Sequence, residues 1–265
     1  MLTPGQPLTV AVLAATLIAV LTVLVLRAIR KDRREYSRFK RYRTTRRRQA
    51  MFRKWVIESF AVFGGASVVV LALTWKQLPL LLADVEAWPA VEWLRAVTSD
   101  PLVTGVMIAV TAVLLVGSVV VLHFARGSTE VPTIGDITAL LPRNRAELRW
   151  GAALSVNAGV VEELMFRLAM PLLLFGVTSN AVVAVAGSIV VFAALHLYQG
   201  VAGIAGSAVI GAVLMAVFLG TGSIVAAIAL HIFIDLRSLL LIPVVVFGVH
   251  RIAPKPAAAR AAKRD

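Results

Sequence analysis

The chain has 265 residues, 59% of them hydrophobic and only 15% charged, with a mean hydropathy of +0.87. Those values exclude an ordinary soluble domain and fit a polytopic membrane protein. The formal net charge of +13 suggests nucleic acid, but 14 of the 27 Lys and Arg fall between Arg27 and Lys54, against Asp32 and Glu35 alone. A basic run set between two apolar segments reads as a cytoplasmic loop whose partner is anionic lipid headgroups, with no nucleic acid expected. Cysteine is absent, so any nucleophile or metal ligand must come from His, Asp, Glu, Ser or water.

Crossing about 30 Å of hydrocarbon takes roughly 20 apolar residues, and seven stretches qualify: about Leu8–Leu26, Val56–Trp75, Leu102–Phe124, Gly151–Val177, Ala181–Tyr198, Val201–Leu219 and Ser223–Val249. Pro243 can bend the last stretch or divide it in two, so an all-α transmembrane helical bundle of seven or eight spans is expected. Nothing basic precedes the first stretch, so residues 1–26 read as an anchor helix rather than a cleavable signal, with the N-terminus outside. The basic loop 27–54 follows, then two further spans and their connections over 55–144, a core over 145–250, and a basic tail over 251–265 expected to be disordered. The connection "LPLLLADVEAWPAVEWLRAV" reads as a short amphipathic segment along the interface. Trp55, Trp75, Trp88, Trp93 and Trp150 fall at span ends or beside them, where an amphipathic ring favours the headgroup region. Gly203, Ser207 and Gly211 recur every four residues, a pattern that lets a neighbouring backbone approach.

The charges inside the later spans carry the functional signal. Glu162 lies 12 residues beyond Trp150, roughly 18 Å deep at about 1.5 Å per residue. An ionisable side chain at that depth costs on the order of 2.5–3.5 kcal/mol facing lipid, so Glu162, Glu163 and Arg167 must face the interior or a wet cavity. Glu163 and Arg167 stand four apart and can pair, which leaves Glu162, about 100° around the helix, free to work. A bland alternative is an ion pair that merely locks two helices. Phe192 and His196 share a face of the fifth span, His231 and Asp235 a face of the last, with Arg237 beyond. His123 and His250 sit at span ends. Asn157 reads as an interhelical hydrogen bond.

The order Glu162-Glu163-x-x-x-Arg167, Phe192-x-x-x-His196, His231-x-x-x-Asp235, together with "EELMFR", "HLYQG" and "GTGSI", resembles the three motifs of the CAAX protease and bacteriocin-processing family, also called the Abi family. The resemblance covers about residues 145–240 and none of the N-terminal half. It implies an intramembrane endopeptidase of the glutamate type that acts on a membrane-associated peptide or protein, and the Val-, Ala- and Arg-rich composition points to a bacterial source. On that pattern Glu162 and His196 activate water, Glu163 and Arg167 hold the site, and His231 with the residue at 235 stabilises the oxyanion. The commoner pattern has Asn at the last position. Asp235 donates only when protonated, and it can instead orient His231 or pair with Arg237. The resemblance implies no cofactor, although Glu163, His196 and His231 have the composition of a three-ligand zinc site. Two other functions compete: a non-enzymatic membrane adaptor or immunity protein on the same fold, and a proton-coupled carrier with a buried relay.

Overall fold

A computed structural model describes residues 3–126 and 135–254, and among these every regular element is helical. Helix α1, Pro7–Leu26, starts with proline in its first turn, where the missing N–H costs nothing. A π turn over Arg27–Asp32 leads into α2, Arg33–Phe39. Then come α3, Thr45–Ser59, a second π turn over Phe60–Gly64, α4, Gly65–Thr74, α5, Leu78–Glu86, α6, Pro89–Ser99, and α7, Pro101–Phe124. Asp100 caps α7 by accepting from the Leu102 and Val103 amides at 2.8 and 3.1 Å, satisfying two of the donors a helix start leaves orphaned.

The second half begins with α8, Arg145–Glu163, followed by a π turn over Leu164–Ala169 and α9, Met170–Thr178. Helices α10, Ala181–Ala194, α11, Gly200–Thr221, and α12, Ile224–Leu236, complete the body, and a last π turn over Arg237–Leu241 precedes α13, Ile242–Val245. Asn180 and Ser223 cap α10 and α12. A tight turn over Leu195–Gln199 and Gly200, at φ 79°, reverse the chain so that α11 packs beside α10; only a residue without Cβ adopts that φ readily.

Four runs are long and apolar enough to cross a membrane among the described residues: Pro7–Phe39, Thr45–Glu86, Ala181–Thr221 and Ile224–Val245. The run Arg145–Thr178 is also continuously helical, but Glu162, Glu163 and Arg167 interrupt its apolar character. Large apolar side chains such as Leu8, Ile18, Val68 and Val201 stand on the outer surface, as a lipid-facing exterior requires. The last run does not divide at Pro243. A π turn takes up the missing N–H and the helix continues from Ile224 to Val245.

The two largest apolar clusters among the described residues hold the bundle. One joins Leu13 and Leu24 of α1 and Val70 of α4 to Val161, Met165, Phe166 and Phe192. The other joins Leu81, Val85 and Val91 to Leu172, Phe175, Met215 and Leu219. Helix α8 packs on α12 and α3. Gly159 allows the first approach: a Cβ there would stand 3.0 Å from the Ile232 backbone nitrogen, so the two helices meet in close contact one turn below Glu163.

The basic stretch 27–54 is largely helical, because α2, α3 and the first π turn run through it. Arg34, Arg38, Arg46, Arg47 and Arg53 are exposed on it. Arg48 departs from the expected lipid-facing role: only 1% of its side chain is exposed, and its Nε lies 2.9 Å from Glu147 Oε2. Its Nη2 donates to both the Ala139 and Leu141 carbonyls, at 3.0 and 3.1 Å, and its guanidinium lies over Phe39. The segment read as an interfacial loop consists of α5 and α6. Helix α6 is docked, with Arg95 donating to the Leu219 carbonyl at 3.1 Å and Thr98 to that of Gly220 at 2.7 Å, so it caps the open carbonyl end of α11. Most of the tail, residues 255–265, and loop residues 127–134 lie outside the described residues.

Candidate active site

Local structure decides where the three motifs point. Pro171 has no N–H, so the helix widens into a π turn over Leu164–Ala169. The Phe166 carbonyl then accepts instead from the Ser188 hydroxyl of α10 at 2.6 Å. This ties the turn after α8 to α10, while the two glutamates, adjacent in α8, point about 100° apart.

Glu163 is fully buried and enclosed by partners. Arg167 Nε stands 2.8 Å from Glu163 Oε2 and its terminal nitrogen donates to Oε1 at 3.1 Å. His231 Nδ1 lies 2.7 Å from the same Oε1. Since a carboxylate only accepts, His231 donates from Nδ1, and its Nε2 can donate as well only when the ring is doubly protonated. Asp235 Oδ2 is 4.0 Å from that Nε2.

Glu162 has neither a hydrogen bond nor an ion pair among the described residues. It lines a cavity of about 130 Å³ together with His196, Leu154, Phe166, Leu195 and Tyr198. His196 stands in the tight turn just beyond α10, and its Nδ1 is 2.9 Å from the Phe192 carbonyl. A carbonyl cannot donate, so Nδ1 carries the hydrogen and a neutral His196 presents Nε2 as an acceptor. The arrangement therefore offers a carboxylate and an imidazole lone pair at one cavity, the elements of general-base chemistry on water.

Phe192 links the two sides. The Arg167 guanidinium lies 5.1 Å from its ring centroid, His196 is tilted against it at 4.8 Å, and His231 meets it edge-on at 6.3 Å. Gly211 makes room for it: a Cβ there would stand 3.0 Å from the Phe192 ring. Part of the small-residue pattern thus packs against a site aromatic rather than a neighbouring backbone.

Glu163, His196 and His231 are not gathered as three metal ligands. No metal-holding group of His, Asp and Glu exists among the described residues. The reason is local: Glu163 spends both oxygens on Arg167 and His231, while His196 is turned to Phe192. Asn157 Nδ2, read as an interhelical donor, is buried and makes no hydrogen bond among the described residues. His123 and His250 are exposed at helix ends, away from the cavity.

The rest of the cavity wall comes from outside the motifs. Arg27, Tyr36, Trp55, Ser59, Phe63 and Leu140 complete the lining. Tyr198 lies stacked on His196 at 6.2 Å and edge-on to Tyr36 at 5.3 Å. Sequence reasoning gave these residues no part in the site. Their signal was the aromatic clustering at the span ends, which headgroup preference explained equally well.

Residues 144–237 match the family described as Type II CAAX prenyl endopeptidase Rce1-like. This segment is similar to the CAAX protease family. The match takes in all three motifs and stops short of α1 to α7. No curated protein and no solved structure matches the chain. The apolar helices fit an integral membrane protein, and the matched segment resembles CAAX-type intramembrane proteases.

Proposed function

We propose that the protein is a glutamate-type intramembrane endopeptidase that hydrolyses a membrane-associated peptide or protein, with Glu162 as general base. Glu162, backed by His196 Nε2, takes a proton from water as the water oxygen attacks the scissile carbonyl. His231, held by Glu163 through Nδ1, turns Nε2–H to the developing oxyanion when its ring is doubly protonated. Collapse of the tetrahedral intermediate breaks the C–N bond, and the proton taken from water passes to the departing amine. Arg167 and Glu163 position His231. An ionised Asp235 would repel an oxyanion, so its part is to orient His231 from 4.0 Å.

The observation that carries this reading is the division of labour between adjacent glutamates. Glu163 is consumed by Arg167 and His231, whereas Glu162 meets His196 at a cavity. The same reading takes α7 and the run α8–α9 as spans, and α10 and α11 as two, for a count of seven, the eighth having required a division at Pro243. It places the chain in a bacterial cytoplasmic membrane with the N-terminus outside, the exposed arginines of 27–54 against anionic headgroups, and residues 145–250 as the protease core.

Quantitative mass spectrometry of protein termini, on membranes holding the native protein or Glu162→Gln at equal abundance, tests the proposal. New termini should appear with the native protein and vanish with Glu162→Gln and with His196→Ala, because removing a general base costs roughly 10²–10⁴-fold. Identical termini in all three, where the native protein confers a phenotype, would assign that phenotype to a non-enzymatic adaptor.

A further inference from the structure

His196 is carried by the tight turn over Leu195–Gln199, and that turn is gripped by groups from outside residues 144–237. The Tyr198 ring lies stacked on His196 at 6.2 Å, and the Tyr36 ring of α2 meets Tyr198 edge-on at 5.3 Å. The Tyr36 hydroxyl donates to the Asp136 carbonyl, and the Asp136 amide donates to the Gln199 carbonyl at 3.0 Å. Tyr36 therefore meets the turn twice, once through Tyr198 and once through Asp136. We propose that Tyr36 is a positioning residue of the active site, which clamps this turn and so holds the His196 ring at the cavity it shares with Glu162. The inference rests on the protease reading above and adds to it a residue outside the three motifs.

A short 3-10 turn has poorer hydrogen-bond geometry than an α-helix, so its shape depends on what packs against it. The bond from His196 Nδ1 to the Phe192 carbonyl sets the tautomer, and the ring stacked on His196 is the one that Tyr36 abuts. Tyr36 is only 4% exposed, and an aromatic pair of this geometry contributes about 0.5–1.5 kcal/mol beyond its burial. Lys40, which pairs with the Asp136 carboxylate, lies over the Tyr36 ring at 4.9 Å and closes the clamp on its outer side. Gly135, at φ 77°, lets the chain come this near. A Cβ there would stand 2.9 Å from Gly203 Cα and 3.1 Å from the Gln199 carbonyl oxygen. Misplacing a reacting group by about 1 Å can cost about 10²-fold in rate, so a hold of this size on His196 has a large effect.

A competing role for Tyr36 is plain packing, since it shares an apolar cluster with Phe39 and Phe52. The two roles separate at His196 itself. The chain has four histidines, so nitrogen NMR of the full-length protein in detergent, labelled with 15N-histidine, resolves each ring, and the signal lost in His196→Gln is that of His196. Tyr36→Leu should displace or split that signal, and Tyr36→Phe, which keeps the ring, should restore most of it. Tyr198→Leu should displace it likewise, with Tyr36→Leu adding little on top, as expected of two residues acting through one contact. Phe39→Leu, in the same cluster, should lower the melting temperature and leave the His196 signal native.

The kinetic counterpart uses peptides spanning the cleavage sites found by terminal mass spectrometry. Tyr36→Leu should lower kcat roughly ten- to a hundredfold with KM little changed, and Tyr36→Phe should recover most of the rate. A native His196 signal in Tyr36→Leu, or the same displacement in Phe39→Leu, would overturn the inference. An unchanged kcat in a variant whose His196 is displaced overturns it too. A native protein that produces no new termini would remove the protease reading, and the NMR comparison would then decide the hold on His196 by itself.

Discussion

Glu162 and Glu163 are neighbours in the chain and lead different lives. One faces a cavity and the other closes an ion pair, so the same substitution at each should differ in its effect on stability. Glu162→Gln is expected to remove activity with little change in thermal stability. Glu163→Gln leaves Arg167 buried without a full counter-charge, and breaking such a pair costs about 3–5 kcal/mol, which a melting curve in detergent would register. Equal melting of both variants would contradict the division of labour. The i, i+4 spacing made the Glu163–Arg167 pairing legible, and the helical wheel sent Glu162 elsewhere. The His231–Glu163 bond was not legible, because the partners lie 68 residues apart and no local period reports that distance. Nor was the Phe192 carbonyl that fixes the His196 tautomer, since backbone groups leave no trace in residue identity.

Wide turns recur at the level of elements. Among the described residues there are four π turns, and three of them supply cavity-lining side chains, Arg27, Phe63 and Phe166. Proline explains the one before Pro171, and the widened helix leaves the Phe166 carbonyl to Ser188. Ser188→Ala should therefore destabilise the bundle by about 1–3 kcal/mol, the cost of an unsatisfied buried acceptor. Pro171→Ala placed in that background should recover part of the loss, because an N–H five residues beyond Phe166 is the donor a π turn uses. Thermal melting of the single and double variants checks this, and simple additivity of the two would rule out the link. Helix positions were readable from hydropathy. The π turns were not, apart from those beside Pro171 and Pro243, because the wide turn at Arg27 follows an apolar run with nothing in its composition to mark it.

The whole molecule joins a segment similar to the CAAX protease family to N-terminal helices that the match does not reach. Arg48 of α3 and Glu147 of α8 fasten the two, each about 1% exposed. Arg48→Met should cost about 3–5 kcal/mol by stranding Glu147, while Arg48→Met combined with Glu147→Met should recover most of it. Arg46→Met, on the exposed face of the same helix, should stay within about 0.5 kcal/mol. Detergent melting of the four proteins checks all three values, and a double variant no better than Arg48→Met would show that the pair is not the fastening. The basic run was readable as a charge, and its division into surface arginines and one buried arginine was not, because burial of Arg48 depends on Glu147 and on two carbonyls far along the chain.

That separation has a consequence for how the protein is made. Arg48 and Glu147 stand 99 residues apart, and a ribosome adding about 5–20 residues per second needs roughly 5–20 s to deliver the second after the first. Throughout that interval the newborn N-terminal half holds an arginine destined for the interior while its counter-charge has yet to be synthesised. Helix α3 must therefore wait at the wet membrane surface, among its basic neighbours, and enter the assembly only when α8 arrives.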